Sequence, residues 1–312
     1  PGRLRDHIER RGLDCSQLRV VVLDEADEML DMGFREDLEF ILQAAPETRR
    51  TLMFSATMPK GIAALAQRYQ REALRIQVAG AERGHADIEH RVVRVVPHEI
   101  DHVVVNLLRY VDPAGAIVFC TTREGTNRLA AALSERGFAC VAISGELSQP
   151  ERTRALQMLR DGRARVLVAT DVAARGLDLP DVSLVVQADL PNDPDALQHR
   201  AGRTGRAGRK GVAVMLVPAD RRRWAERLFR DGGIQATWSD VPDAKVIRGR
   251  DRQKLLEALT TPGGSTDDDD IAIAREVLTQ LPAEELVARL VAAERAKLPE
   301  PEDLPLTAAA VA

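Results

Sequence analysis

Four apolar residues in a row, Val20, Val21, Val22 and Leu23, run straight into three carboxylates, Asp24, Glu25 and Asp27. β-Branched and aliphatic side chains without alternation predict a strand buried on both faces, as in a parallel sheet packed between helices. Ligands of such sheets sit at the carboxyl ends of the strands, where Asp24 and Glu25 emerge. Carboxylates placed beside nucleotide phosphates can hold Mg²⁺ and orient a water toward the γ-phosphate. A plain polar strand end that caps the next helix would carry the same residues, so the rest of the chain has to discriminate.

The remaining pattern extends the α/β reading. Residues 1–78 read as helix, strand (20–23), helix (35–43), strand (51–54), helix (61–69) and a short strand (74–78), which leaves no room for the first strands of a complete nucleotide-binding domain. Residues 79–87, with Gly80 and Gly84 among polar residues, read as a linker. A second parallel-sheet domain is expected over 88–220, with strands at 91–96, 116–119, 139–143, 166–169, 184–187 and 212–217. Its helix at 124–136 puts Leu129, Ala132 and Leu133 on one face, and Gly137 suits a left-handed C-cap. Beyond Asp220 a mostly helical extension is expected to residue 298. Arg221, Arg222 and Arg223 open a helix with Trp224, Leu228 and Phe229, and a mixed segment follows to Leu259. Two amphipathic helices, 271–281 and 283–298, are split by Pro282 and carry a stripe of Leu286, Val287, Leu290 and Val291. That stripe needs a cover, either the chain's own core or a second copy. Residues 299–312 read as a disordered tail.

Composition narrows the class. The 312 residues are 45% hydrophobic, enough for real cores, and no apolar run approaches the ~18 residues of a membrane span. The first residues are charged rather than a signal peptide, and a start at Pro1 reads as a fragment of a cytoplasmic protein. The three cysteines, Cys15, Cys120 and Cys140, lie far apart with no CxxC pair, which argues against a zinc site or a disulfide framework. A net charge of −4 argues against bulk polyanion binding, and 3% aromatics argue against a base-stacking platform. A groove that reads a sugar-phosphate backbone remains.

Five further stretches follow the first in order. Ser55, Ala56 and Thr57 leave the strand end at Phe54. Ile117 to Arg123 is a strand and a polar turn. Leu147 to Leu156 places Gln149 and Arg152 at the head of a helix, where amides and arginine meet phosphate. Val166 to Pro180 delivers Thr170, Asp171, Arg175, Gly176 and Asp178 beyond a buried strand. In His199 to Arg209, arginines at 200, 203, 206 and 209 alternate with Gly202, Gly205 and Gly208, so the backbone can approach closely while guanidinium forks project toward phosphate.

DEAD, SAT, ATDVAARGLD and HRAGRTGR in this order and at these spacings resemble the DEAD-box ATP-dependent RNA helicases of superfamily 2, over about residues 1–220. The resemblance implies two RecA-like domains, the first incomplete here, that use ATP and Mg²⁺ to separate short RNA duplexes. It implies that Asp24 coordinates Mg²⁺ through water, that Glu25 positions the attacking water, and that Asp27 links to Ser55 and Thr57 and toward His199. Gly176 and Asp178 would meet the nucleotide, with Arg203 and Arg206 as fingers on the transition-state charge. Pro1, Gly2 and Arg3 resemble the end of a TPGR motif that touches RNA. Thr122, Arg123, Gln149, Arg152, Thr170, Asp171 and Arg175 fall where the family grips the RNA backbone. Residues 221–298 resemble more loosely the extension through which bacterial cold-shock-type members dimerise. From Arg221 onward there are 14 Lys or Arg against 17 Asp or Glu, unlike the basic modules that often follow. No GxxxxGK[ST] phosphate loop and no adenine-reading glutamine motif occur in the 312 residues, so these residues alone are expected to turn over ATP negligibly, or to form an RNA-binding, dimerising module without ATPase activity.

Overall fold

A computed structural model describes residues 1–55, 58, 60–76, 87–174, 182–205, 208–261 and 267–304. The chain divides into two compact units, Pro1–Val78 and Ala79–Ala312. No helix among the described residues is long and apolar enough to cross a membrane.

The first unit runs α1 (Gly2–Glu9), β1 (Val20–Leu23), α2 (Ala26–Asp31), α3 (Arg35–Ala44), β2 (Arg50–Met53) and α4 (Lys60–Tyr69). β1 and β2 pair in parallel, with Val20 opposite Arg50 and Leu23 opposite Met53. Leu23, Leu38, Leu42, Ile62 and Leu65 form its core, and Val21 and Met53 pack against it. Burial of β1 on both faces is not what the structure shows. Val20 and Val22 remain 47% and 53% exposed, because α3 and α4 cover only the face that carries Val21 and Leu23. The strand expected at 74–78 does not form over its described part: Leu74 and Ile76 are exposed and pair with neither β1 nor β2, and a strand without a hydrogen-bonded neighbour is not stable.

The second unit is built on one sheet. Its elements are β3 (Ile88–Val95), α5 (Ile100–Val111), β4 (Ala116–Phe119), α6 (Arg123–Glu135), β5 (Cys140–Ile143), α7 (Gln149–Arg160), β6 (Val166–Ala169), α8 (Asp171–Ala174), β7 (Leu184–Gln187), α9 (Pro194–Ala201), β8 (Gly211–Pro218), α10 (Arg222–Asp231), β9 (Ala236–Ser239), α11 (Ala244–Thr260), α12 (Asp268–Gln280) and α13 (Ala283–Ala296). The strands are all parallel in the order β5-β6-β4-β7-β8-β3-β9. Successive residues of a strand serve opposite faces. Val118 and Val168 pack with Leu108, Leu129 and Leu133 from α5 and α6, whereas Ile117 and Leu167 pack on the other side with Ala155 and Ala173 from α7 and α8.

The sheet does not stop at residue 220. α10 sets Ala225, Leu228 and Phe229 against Val92 and Met215, and β9 pairs with the outer edge of β3, His90 opposite Ala236. The expected extension therefore starts within the packing of this unit. α12 and α13 follow, with no buried residue in either; Val287 and Leu290 are exposed and Leu286 and Val291 half-buried, so the chain's own core covers the stripe only in part.

The tail also departs from expectation. Residues 299–304 dock instead of trailing free. The fully buried Asn106 on α5 donates to the carbonyls of Pro242 (3.0 Å) and Glu302 (2.9 Å), and its oxygen accepts the Glu302 N–H (2.8 Å). Arg248 pairs with both oxygens of Asp303 at 3.0 Å, and Leu304 rests on the core. A buried amide satisfied only by backbone is a strong local reason for that segment to order. Residues 305–312 lie outside the described residues.

Candidate nucleotide and RNA sites

In the first unit the chain turns sharply where β1 ends. The Phe54 N–H donates to the Leu23 carbonyl (2.8 Å) and the Ala26 N–H to the Phe54 carbonyl (3.1 Å), which ties the exits of β1 and β2 together. Between them Glu25 adopts left-handed backbone (φ 49°, ψ 47°), a conformation that costs a side-chain-bearing residue of order ~1 kcal/mol or more and is found at functional turns. The turn exposes the Asp24 and Glu25 carboxylates, and the Asp24 Oδ1 accepts the Glu25 N–H at 3.0 Å. Asp27 points the other way and is 2% exposed; its N–H donates to the Ser55 Oγ at 3.2 Å. The structure thus brings Asp27 and Ser55 together, through the Asp27 backbone. Thr57 lies outside the described residues.

Two exposed carboxylates at a strand end are hard oxygen donors of the kind Mg²⁺ accepts when phosphates and waters complete its shell. No cluster of three or more potential metal ligands occurs among the described residues, so this pair fits only the protein's share of such a site. Pro1 and Gly2 open α1, which Arg5 fastens to α3 by an ion pair with Asp37 (3.0 Å) and by lying 5.1 Å from the Phe40 ring centroid. Arg3 stands exposed beside them.

In the second unit the predicted RNA-contact residues meet on one edge. β5, β6 and β4 are neighbours, and their carboxyl ends are tied by the Thr170 N–H to Ile143 carbonyl (3.4 Å) and Cys120 N–H to Ala169 carbonyl (3.0 Å) bonds. Thr122 caps α6, its hydroxyl accepting the Gly125 N–H at 3.0 Å. Arg123 reaches across to Glu146 in an exposed pair at 2.6 Å, which contributes little and leaves the guanidinium available. Gln149 opens α7, whose head is held by Glu151 accepting both the N–H (2.8 Å) and the hydroxyl (2.6 Å) of Ser148. These bonds hold the Glu151 carboxyl below the usual carboxylate range. Arg152, one turn on, keeps a buried Nε that meets no acceptor among the described residues. Thr170 ends β6, buried among these loops.

Asp171 and Arg200 are not arranged as expected. The Arg200 guanidinium is turned inward, 3% exposed, and donates from Nε and Nη2 to the two oxygens of Asp171 and from Nη1 to the Asp189 carbonyl. It also lies 5.5 Å from the centroid of the Phe119 ring. Arg200 is therefore no phosphate fork, and the Asp171 carboxylate is occupied by it instead of facing RNA directly. The cause is helical position: in α9 Arg200 falls on the same inward side as Leu197 and Ala201, so only buried acceptors can meet it.

His199 and Arg203 are half-buried at the end of the same helix. Gly205 has φ +67°, and a Cβ there would come within 2.6 Å of the Ile88 side chain. That glycine is needed for packing the turn under β3 as well as for approach to a ligand. Arg175, Gly176, Asp178 and Arg206 lie outside the described residues. Cys120, buried at the end of β4, has its thiol pushed up to about 12 by desolvation and by the nearby Asp189. All three cysteines are free thiols.

A carboxylate turn in one unit and a polar, arginine-bearing cluster in the other each stand at the carboxyl ends of parallel strands, and the chain belongs to the DEAD-box RNA helicase family. The DEAD/DEAH box helicase family matches residues 1–65, and the helicase conserved C-terminal domain matches residues 99–208. Over 217 residues the chain is 46% identical to the DEAD-box ATP-dependent RNA helicase CshA of Bacillus cereus, covering 70% of this chain and 41% of that protein. Over 278 residues it is 36% identical to the ATP-dependent RNA helicase DbpA of Bacillus subtilis, covering 89% of this chain and 58% of that one. The structure of S. cerevisiae Dbp5 bound to RNA and ADP BeF3 superposes with a TM-score of 0.70 at 28% identity, covering 84% of this chain and 68% of that one. The chain thus spans about half the length of the curated relatives it matches.

Proposed function

We propose that the protein containing this chain is an ATP-dependent, cytoplasmic RNA helicase that grips single-stranded RNA by its backbone and opens short duplexes in steps coupled to ATP hydrolysis. The observation that carries this reading is the gathering of Thr122, Arg123, Gln149, Arg152 and Thr170 on one strand-end edge, a surface of hydroxyl, amide and guanidinium groups suited to phosphate oxygens. In the nucleotide half, the Asp24 carboxylate supplies one hard oxygen toward hydrated Mg²⁺, and Glu25, free at the turn, orients the attacking water. Bound Mg²⁺ neutralises phosphate charge. Asp27 joins the turn to the Ser55 strand end, and Thr57 and His199 are its expected further partners. Arg203 and Arg206 supply positive charge to the departing phosphate, and Gly176 and Asp178 hold the nucleotide. Pro1, Gly2, Arg3 and Arg175 add backbone contacts to the RNA. The exposed Val287 and Leu290 of α13 support self-association through this segment.

The test is RNA- against DNA-stimulated ATPase activity and short-duplex unwinding by the protein extended to include a phosphate-binding loop. Stimulation by RNA alone, with unwinding, is expected; equal stimulation by DNA, or none, refutes the reading. The lack of a GxxxxGK[ST] stretch in the 312 residues favours a second reading, an RNA-binding and dimerising module without ATPase activity. Hydrolysis by the extended protein excludes it.

A further inference from the structure

β4 and β7 are adjacent, but the chain leaves them in opposite directions: from β4 through α6 to β5 at one end of the sheet, from β7 through α9 to β8 on the other side. Such a reversal opens a crevice outside the carboxyl ends of the two strands, the usual ligand position in open α/β sheets. Here the crevice contains a cavity of about 340 Å³ lined by Thr121, Asp189, Asn192 and Trp224 over an apolar floor that includes Ala188 and Leu216. A second cavity of about 360 Å³ adjoins it, shares Thr121 and Asp189, and reaches Thr122 on the backbone-gripping edge.

The polar groups of the first cavity have capacity to spare. Asp189 uses Oδ2 to accept the Thr121 N–H at 2.7 Å, while Oδ1 accepts nothing among the described residues. The Thr121 hydroxyl, the Asn192 carboxamide and the Trp224 indole N–H also have no partner among the described residues. The Asp189 carboxylate and the Arg221 guanidinium both line the cavity, so its wall carries no net positive charge to draw an oxyanion. A flat heteroaromatic ring whose edge donates hydrogen bonds fits both the apolar floor and the open acceptors.

We propose that this crevice is a nucleobase subsite that receives one unstacked base of the bound RNA, guanine in preference to the others. The preference follows from Asp189: guanine alone presents two adjacent N–H donors on its pairing edge, which a carboxylate accepts, and bonds to a charged acceptor are the stronger kind. The subsite rests on the RNA-binding reading above, and it adds a base-selective contact to a surface that otherwise reads only backbone.

The experiment uses the full chain with Trp238→Phe, which leaves Trp224 as its one tryptophan. Its emission is followed during titration with GMP, AMP, CMP and UMP, then with oligouridine carrying a single guanosine. A saturable change is expected, tightest for GMP, with Asp189→Asn and Asn192→Leu each weakening GMP about tenfold, equivalent to ~1.4 kcal/mol. A guanosine-containing oligonucleotide that reproduces the change while GMP does not also supports the subsite, since the base is then held only as part of RNA. Equal responses to all four nucleotides, unaltered by both substitutions, overturn it. So does a GMP response that the oligonucleotide cannot displace. An oligonucleotide that binds while Trp224 emission ignores its guanosine overturns the subsite alone, whereas one that fails to bind at all overturns the RNA-binding reading.

Discussion

The Arg200 guanidinium meets both oxygens of Asp171, at 2.6 Å and 2.7 Å, inside the second unit. This bond fixes the head of α8, just after Thr170, to α9, the helix that carries His199 and leads into Arg203. The polar strand-end edge and the start of the arginine-rich turn are thereby tied together. Arg200 is 3% exposed and Asp171 32%, so removing Asp171 strands a buried cation at about 3–5 kcal/mol, while removing Arg200 leaves a partly solvated carboxylate and costs less. Asp171→Ala should lower the urea midpoint more than Arg200→Ala, and Arg200→Lys should not restore the native midpoint, because an ammonium cannot make the paired bonds. The double variant Arg200→Met with Asp171→Leu should be more stable than either single alanine variant.

Glu25→Gln keeps the shape of the exposed turn and removes the charge that orients water. In the protein extended to carry a phosphate loop, hydrolysis should vanish while ATP and RNA affinities stay within about twofold, as read by single-turnover kinetics and fluorescence binding. Arg203→Ala should slow hydrolysis by roughly 10³ at saturating ATP. Near-normal turnover in either case removes the assigned role.

RNA held by its backbone responds to salt. Arg152→Ala should weaken single strands of any sequence to the same degree and flatten the slope of log K against log salt by about 0.7, the value for one phosphate contact. Ser148→Ala, which loosens the head of α7, should weaken RNA in the same sequence-independent way. Because the Glu151 carboxyl is held below its usual range by Ser148, that support is present above about pH 4 and is lost as pH falls through the native value. A sequence-dependent loss in either variant would contradict backbone readout.

Burial, with the nearby Asp189, pushes the Cys120 thiol up to about 12, against about 8.5 for a free thiol. In native protein at pH 8 its thiolate fraction is about one in 10⁴, so iodoacetamide should modify it only after unfolding. The sign for stability follows: between about pH 8.5 and 12 the unfolded chain loses this proton and the native one keeps it, so stability should fall with rising pH across that window. Peptide mapping after native and denatured alkylation checks the first point, and urea titrations at pH 8 and 10 check the second.

Self-association through α13 is best tested without truncation, since a cut at residue 220 would strip β9 from β3 and a cut before α12 would remove the tail held by Asn106. Leu290→Glu, on the exposed stripe, should shift sedimentation toward monomer while the thermal midpoint stays the same. A wild-type chain that is monomeric at high micromolar concentration removes the idea. Asn106→Leu, by contrast, leaves the Pro242 and Glu302 backbone groups without partners and should cost about 1–3 kcal/mol.

The strands of the second sheet, the turn at Asp24 and the polar edge from Thr122 to Thr170 were legible from residue order alone. Unbroken apolar runs have few folded solutions, and each run hands its polar successors to the same edge of a parallel sheet. The family and the placing of most candidate residues at strand ends were therefore contained in the sequence. Other features had no local signal. β9 is four residues long and exists because β3 offers it an edge; α11 buries Ala244 and Ile247 but exposes Val246, Leu256 and Leu259, so no single apolar stripe announced it. The tail docks because Asn106, 196 residues earlier, has amide groups to satisfy. Arg200 shares its three-residue spacing with Arg203, yet the helix axis and the position of Asp171 across the sheet turned it inward. Spacing along the chain records which residues can share a face, while burial and partner depend on elements far away in sequence, and those only the tertiary structure decided.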